Sequence, residues 1–413
     1  VSGTGPAAFI LGLGENGYGI LRSLVREGIA AAGFYSRPEE FGRYSRYCEA
    51  HPLPPSLDEE RMLGALIERG GRSGGHPVLF ATSDYHAFFL ARHGERLSGH
   101  FNFHWADEAS LSRILDKARM SGLCREAGVL APRTHAVGPE EDPAELARRL
   151  AFPCLIKPTR TFANAFPARR KNFVAGSPAE FVAFYAAHPG LKGETVCQEI
   201  IEGGDEDIFQ CTVLMGRSGE AGAVFCARKL HQYRPGYGVM CFGRSEENEF
   251  LAAQSLRLLR CLGYRGLASL EFKYRAGEDR YYFIEMNPRL PWYNALCADA
   301  GVNLPYLAYL DLAESRPARA VAARQRNGVH WISFKLDLGW FLQSRLAGRA
   351  RFFSWLRSLA RARSYAWFDR RDPGPFLRSM ADLVVTGVRQ LFRGLAQEVP
   401  DYPAPPSQSP SGP

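Results

Sequence analysis

Residues 270–305 read LEFKYRAGEDRYYFIEMNPRLPWYNALCADAGVNLP, and the reading of the whole chain turns on them. Two runs here have strand character, ASLEFKY and RYYFIEM, joined by the polar turn AGEDR. Strand periodicity sends alternate side chains to opposite faces. A hairpin therefore brings Glu271 and Glu285 side by side, each flanked by apolar neighbours. Two carboxylates held together in half-buried surroundings repel unless a cation sits between them. Mg²⁺ suits such a pair, because it takes oxygen ligands, keeps several waters and usually binds through one or two carboxylates plus nucleotide phosphates. Asn287 adds a neutral oxygen on the same face, and Arg289 adds a fixed positive charge. Together these residues form a constellation for handling phosphate.

The chain has 413 residues, enough for two or three domains with real cores, and 46% of them are hydrophobic, ordinary for a globular protein. The nine cysteines are scattered with no CxxC pair, which leaves zinc and redox motifs without support and favours buried free thiols in a reducing compartment. The opening VSGTGP lacks a basic start followed by an apolar run, so no secretory leader is expected. No apolar run approaches a membrane span. The formal net charge of +8 is unevenly placed: residues 316–393 hold sixteen Arg or Lys against four Asp. The excess belongs to the C-terminal region. A solvated basic face is the plain explanation, and attraction to phosphates or anionic lipid the alternative.

The N-terminal region reads strand, glycine turn, helix, strand, with Gly12, Gly14 and Gly17 forming a literal GxGxxG. The dinucleotide fingerprint also needs an acid at the end of the second strand. That strand ends in Phe34, Tyr35, Ser36 and Arg37, so only Arg37, facing a 2′-phosphate, would keep an NADP site in play. A tight strand-to-helix turn that requires glycine explains the motif better. HPVLFATSD is a second strand of this kind, and Asp84 at its end either touches a ligand or, the preferred reading, caps the next helix. His86, His93, His100 and His104 match no metal-ligand spacing and read as surface or satisfied core residues.

The E-x-N-P-R run at 285–289, together with the earlier strand acid Glu271, closely resembles the ATP-grasp superfamily, in particular its carboxylate–amine ligases of the D-aspartate ligase and carbamoyl-phosphate synthase kind. The likeness extends over roughly the first three-quarters of the chain. The D-K-x…-G-x-x-x-P segment at 116–132 is similar to the entry of that fold, which implies that Lys117 meets the α-phosphate. Lys157 ends the apolar strand CLI; burying an unpaired ammonium is costly, and the resemblance supplies ATP phosphate as its partner. It also implies that Glu199 and the backbone of Ile201 bind the adenine edge, that Glu206 takes the ribose hydroxyls, and that Lys229 or Arg228 meets the acyl substrate. These two point to opposite faces of a strand, and Lys229 is the choice. By the same resemblance, Glu271, Glu285 and Asn287 hold the metal and Arg289 stabilises the transferring phosphoryl group. The chain departs from the family at TRTFANAFPARRKNFVAG, where Arg160, Arg169, Arg170 and Lys171 replace a glycine-rich flap. Pro291, Trp292 and Tyr293 either line the acceptor pocket or pack the core.

The expected fold is α/β and α+β. A Rossmann-like leading domain (1–110) precedes a two-lobed ATP-grasp unit, with small lobe 111–190 and large lobe 191–315. A basic helical extension (316–398) and a disordered tail (399–413) follow. The expected activity is ATP- and Mg²⁺-dependent joining of a small-molecule carboxylate to an amine through an acyl-phosphate, with Mn²⁺ as the alternative metal. The acceptor would be an amino acid or small peptide. The alternative is a non-catalytic scaffold that docks to membrane or a partner through its basic region. Cytoplasmic placement is expected, with peripheral membrane contact through 316–398 as a variant and no nucleic-acid partner.

Overall fold

The structure is a computed structural model that describes residues 5–54, 58–159, 172–234, 238–313, 324–348 and 351–394, with side chains to 386. Three sheets organise the chain. The first contains β1 (Ala8–Leu11), β2 (Ala31–Tyr35), β3 (Glu49–Pro52) and β4 (Val78–Ala81), all parallel, in the order β3-β2-β1-β4. Every residue of β1 is buried, as expected where helices cover both faces of a parallel sheet. Gly12, at φ +89°, turns the chain from β1 into the helix Glu15–Arg26. A Cβ on Gly17 would lie 1.8 Å from the Gly12 carbonyl oxygen, so close backbone approach accounts for the second half of the motif.

The charge beside this turn disfavours the 2′-phosphate of a dinucleotide. The Glu40 carboxylate, 2% exposed, accepts hydrogen bonds from the backbone N–H groups of Leu13, Ser36 and Arg37 at 2.5, 3.3 and 3.2 Å. A 2′-phosphate at the end of β2 would meet this buried negative charge. Asp84 does not cap the helix Asp84–Ser98: Ser83 does, accepting from the His86 N–H, and Asp84 is left for another role.

The second sheet holds β5 (Thr134–Ala136), β6 (Cys154–Pro158), β7 (Phe173–Ala175) and β8 (Thr195–Glu199), antiparallel, in the order β5-β8-β6-β7. The small lobe therefore reaches Glu199, beyond the expected boundary at 190. Its core is its own, built on Ile156, Phe181, Phe184, Tyr185 and Cys197.

The third sheet has seven strands: β9 (Ile208–Met215), β10 (Ala221–Tyr233), β11 (Val239–Ser245), β12 (Gly266–Arg275), β13 (Arg280–Asn287), β14 (His330–Ile332) and β15 (Ala362–Tyr365). Their order is β13-β12-β9-β10-β11-β14-β15. One face packs on the helices Lys117–Glu126 and Glu249–Cys261 through Met120, Cys124, Leu258 and Phe272. On the other face, Leu214, Phe225 and Met240 share a continuous core with Ile20 and Leu24 of the leading domain and with Leu296 and Leu304. The leading domain and large lobe are thus one packed body, with the small lobe separately cored.

The extension past residue 316 is not purely helical, because β14 and β15 complete the large sheet. It is stitched to the first helix. Buried Arg22 donates to the Phe368 and Tyr365 carbonyls at 2.8 and 2.7 Å, and the Tyr18 hydroxyl donates to Asp372 at 3.1 Å. The proposed flap residues Arg160, Arg169, Arg170 and Lys171, together with Tyr237 and the tail 399–413, lie outside the described residues.

Glu40→Ala orphans three buried or part-buried N–H donors. It is expected to lower stability by about 2–4 kcal/mol, read by chemical denaturation.

Candidate active site

The antiparallel register of β12 and β13 sets Glu271 directly opposite Glu285 and Ser269 opposite Asn287, with a bulge immediately after Glu271. Directly opposed residues share a face, so the two carboxylates are neighbours, as the hairpin reading required. Asn287, two residues beyond Glu285, lies on that face too.

Two lysines lie within the field of Glu285, and one of them, Lys157, within that of Glu271 as well. The broken helix before them explains how. Residues 108–126 form not one helix but two, Glu108–Leu115 and Lys117–Glu126, interrupted at Asp116, whose carboxylate caps the second by accepting from Ala118 N and Arg119 N. Lys117 opens that second helix. Its N–H donates to Thr159 O and its ammonium to Pro158 O at 3.1 Å. Lys157 lies on β6 and donates to Gln198 Oε1 of β8 at 2.8 Å. Burial pushes the Lys157 ammonium down to about 8, against the pull of Glu285 and, more weakly, Glu271, and Lys117 adds to the depression. Burial also lowers Lys117, with Glu285 again opposing. Two depressed ammonium groups facing a carboxylate form a cradle short of negative charge, which a triphosphate would supply.

A cleft of about 530 Å³, open to solvent, runs between the lobes. It is lined by Lys117, Gln198, Thr134, Glu285, Asn287 and Asp84 among others. Asp84 is the residue whose role the sequence left open. Its carboxylate accepts from Arg289 Nε at 2.8 Å, while Arg289 Nη2 donates to Asn287 Oδ1 at 3.1 Å. The guanidinium is thereby fixed between the leading domain and the hairpin. Nearby His86 stays neutral at physiological pH, pushed down to about 3 by burial and by the charges of Arg37 and Arg289.

Lys229 needs a correction. It lies on the Glu271 face and Arg228 on the other, as alternation predicts. Arg228 turns to the Glu206 carbonyl and stacks over Phe209. But Lys229 is 1% exposed, and its ammonium donates to Gln232 Oε1, Gly238 O and Glu271 Oε2 at 3.1, 3.4 and 3.1 Å. All three N–H groups are engaged. It orients Glu271, with Gln210 donating to the same oxygen at 2.6 Å, and is no open cation awaiting substrate.

Glu199 also differs from expectation. Its carboxylate accepts from Arg275 Nη2 at 2.7 Å and from Arg133 N and Nε at 3.2 and 3.3 Å. Burial opposes its ionisation, but these bonds outweigh burial and hold the group below the usual carboxylate range. The side chain ties the small lobe to the end of β12, two residues before buried Ile201. Glu206 is exposed on the turn Asp205–Asp207. On the same turn Asp205 accepts from Gln232, and Asp207 from Gly204 N. Tyr293 packs in the core beside Trp331, while Trp292 is exposed.

Glu271, Glu285 and Asn287 offer two carboxylates and an amide oxygen, a hard donor set that fits Mg²⁺. Among the described residues, no group of three or more His, Cys, Asp and Glu could hold a metal unaided. The remaining ligands would then be waters and phosphate oxygens, as is usual for Mg²⁺ at nucleotide sites. The sequence missed Gln198, Gln210 and Arg275. Their only signal was a polar residue at the inward position of an otherwise apolar strand.

Residues 243–310 match the family model described as carbamoyl-phosphate synthase L chain, ATP binding domain. The D-aspartate ligase of Enterococcus faecium is 22% identical over 324 residues, 75% of this chain and 77% of that protein. The crystal structure of an L-amino acid ligase from Bacillus licheniformis superposes with a TM-score of 0.58 at 16% identity, covering 79% of this chain and 78% of that one. The biotin carboxylase domain of the Hydrogenobacter thermophilus 2-oxoglutarate carboxylase, solved with MgADP and bicarbonate, gives 0.59 at 16% identity over 79% and 74%.

The Lys157 shift has a testable sign. Phosphate raises the lysine's pKa, so binding takes up a proton above pH 8. Triphosphate affinity, measured by calorimetry, is expected to hold from pH 7.5 to 8 and then fall toward tenfold per pH unit. Lys157→Met is expected to bind more weakly, with a flat profile over that range.

Proposed function

We propose that this chain, an ATP-grasp protein of the carboxylate–amine ligase type and hence an ATP-dependent ligase, joins an amino acid or small peptide to a carboxylate through an acyl-phosphate. The supporting observation is that Glu285, Asn287 and Lys117 line one cleft, with Glu271 opposite Glu285 in register and Lys157 within the field of both carboxylates. The names of two similar proteins, a D-aspartate ligase and an L-amino acid ligase, favour amino acids as the substrate class.

In the first step a carboxylate oxygen attacks the γ-phosphorus, and the bond to the β-γ bridging oxygen breaks. The products are acyl-phosphate and ADP. In the second, a neutral amine attacks the acyl carbon, inorganic phosphate departs and the amine loses a proton. Lys117, at the start of its helix, and Lys157, on β6, hold the phosphates, whose negative charge opposes the burial that depresses both ammonium groups. Arg289, fixed by Asp84 and Asn287, presents its guanidinium where negative charge grows during transfer. Lys229 and Gln210 set the angle of Glu271. When bound, Mg²⁺ held by Glu271, Glu285 and Asn287 neutralises phosphate charge. No covalent protein nucleophile is required: the one literal GxSxG, at 71–75, lies at the C-terminus of the helix Glu59–Arg72 instead of turning a strand into a helix, so Ser73 is not in a nucleophile elbow.

Glu285→Gln is expected to abolish ATP turnover in the presence of amino acids while circular dichroism and Tm stay near wild type. Amide formation at an undiminished rate in this variant would sink the metal assignment. Arg289→Ala is expected to lower kcat by about 10²–10³-fold with a smaller change in nucleotide affinity. The acyl-phosphate is checked by hydroxamate formation when hydroxylamine replaces the amine.

A further inference from the structure

The strongest feature left unused by the ligase chemistry is a patch on the C-terminal helices. Between Asp337 and Asp369 the sequence has no acidic residue, yet it holds Arg345, Arg349, Arg351, Arg357, Arg361 and Arg363. Five of these are described, and all five are exposed. Beside them stand Leu346 at 87%, Phe353 at 79%, Leu342 at 54% and Phe352 at 47% exposure, with Leu356 at 40%.

The helix Phe352–Arg361 sorts these residues by face. At about 100° per residue, Phe352, Leu356, Ala360 and Phe353 occupy one arc, with Arg357 and Arg361 along its edge. Trp355 lies on the other side. It stacks on Phe341 of the helix Phe334–Leu346 with ring centroids 4.5 Å apart, and its indole N–H donates to buried Asp337 at 2.8 Å. The inward face is therefore satisfied without Phe353 or Leu356. Phe352 touches the edge of this pair, with ring centroids 6.1 Å from Phe341 and 6.3 Å from Trp355, while Phe353 and Leu356 stay exposed. Leu342 and Leu346 on the neighbouring helix extend the same apolar surface.

We propose that this face docks on an anionic membrane surface, with the apolar side chains entering the acyl boundary and the arginines meeting lipid phosphates. Charge complementarity selects the occupant: a patch with five exposed arginines and no acid suits a polyanionic plane. No described helix is long and apolar enough to cross a membrane, so the contact lies in the interface plane. Strand order separates the patch from the chemistry. β15 leads out of the helix Phe352–Arg361 at one edge of the seven-stranded sheet, and β13 with Glu285 is at the other. Six strand spacings amount to roughly 29 Å, so the cleft stays open to soluble substrates while the patch is seated. This inference does not depend on the ligase reading.

The test is co-sedimentation of the full chain with vesicles of phosphatidylcholine alone or with 30 mol% phosphatidylglycerol (roughly the charge density of an anionic leaflet), at low and high NaCl. Selective binding to the phosphatidylglycerol vesicles that weakens with salt is expected. Arg357→Glu with Arg361→Glu should cut partitioning at least about twentyfold, at roughly fivefold per arginine brought to the surface. Phe353→Ser with Leu356→Ser should cut it about tenfold or more. Both double variants should keep wild-type ATP turnover and Tm. Absence of vesicle binding overturns the proposal. So does binding that both double variants retain, or a dimer by light scattering that Phe353→Ser with Leu356→Ser dissociates, which would assign the face to a second copy of the chain.

Discussion

The structure depends on one electrostatic problem, two carboxylates forced together by strand register. Glu271 and Glu285 are opposed across an antiparallel pair, and their repulsion must be offset locally. Lys229 and Gln210 offset it at Glu271 from within the large sheet. Lys117, at the start of a helix packed on the large sheet, and Lys157, on the small-lobe sheet, lie within the field of Glu285. The protein thus balances the pair unevenly. The inner carboxylate is bonded and held still, while the outer one is exposed.

That division follows the packing. The leading domain and large lobe share one apolar core, so Asp84, Arg289 and Asn287 are held as a unit although they come from distant parts of the chain. The small lobe has a separate core and carries Lys157, while Lys117 opens a helix packed on the large sheet. The small lobe is tied to the large one by polar contacts such as Glu199 with Arg275. An ion pair between lobes tolerates small rotations better than interdigitated apolar packing does, so Lys157 can shift with the small lobe while Asp84, Arg289 and Asn287 stay fixed.

The hairpin itself was legible from sequence because period-two alternation and a short polar turn act locally. The shared face of Glu271, Glu285 and Asn287, the glycine turn without its ribose acid and the Lys229–Arg228 split all follow from such local rules. Elsewhere a partner distant in sequence decided what a side chain contacts. Glu199 looked available until Arg275, 76 residues away, took its carboxylate. Asp84 looked like a cap because nothing local revealed Arg289, 205 residues on. Lys229 looked like a substrate cation, yet burial and three acceptors made it a support for Glu271. The extension past residue 316 read as helical, because three- and four-residue strands such as β14 and β15 are too short to leave a periodic signal.

By itself, then, the sequence determined the parallel leading sheet, the strand pair and the kinds of ligand atoms it carries, since these rest on residue type and spacing within a few positions. Only the tertiary structure decided which charged groups remain available for chemistry and which are spent on one another. Availability depends on what lies within about 3 Å, and in a folded chain that neighbour is often hundreds of residues away.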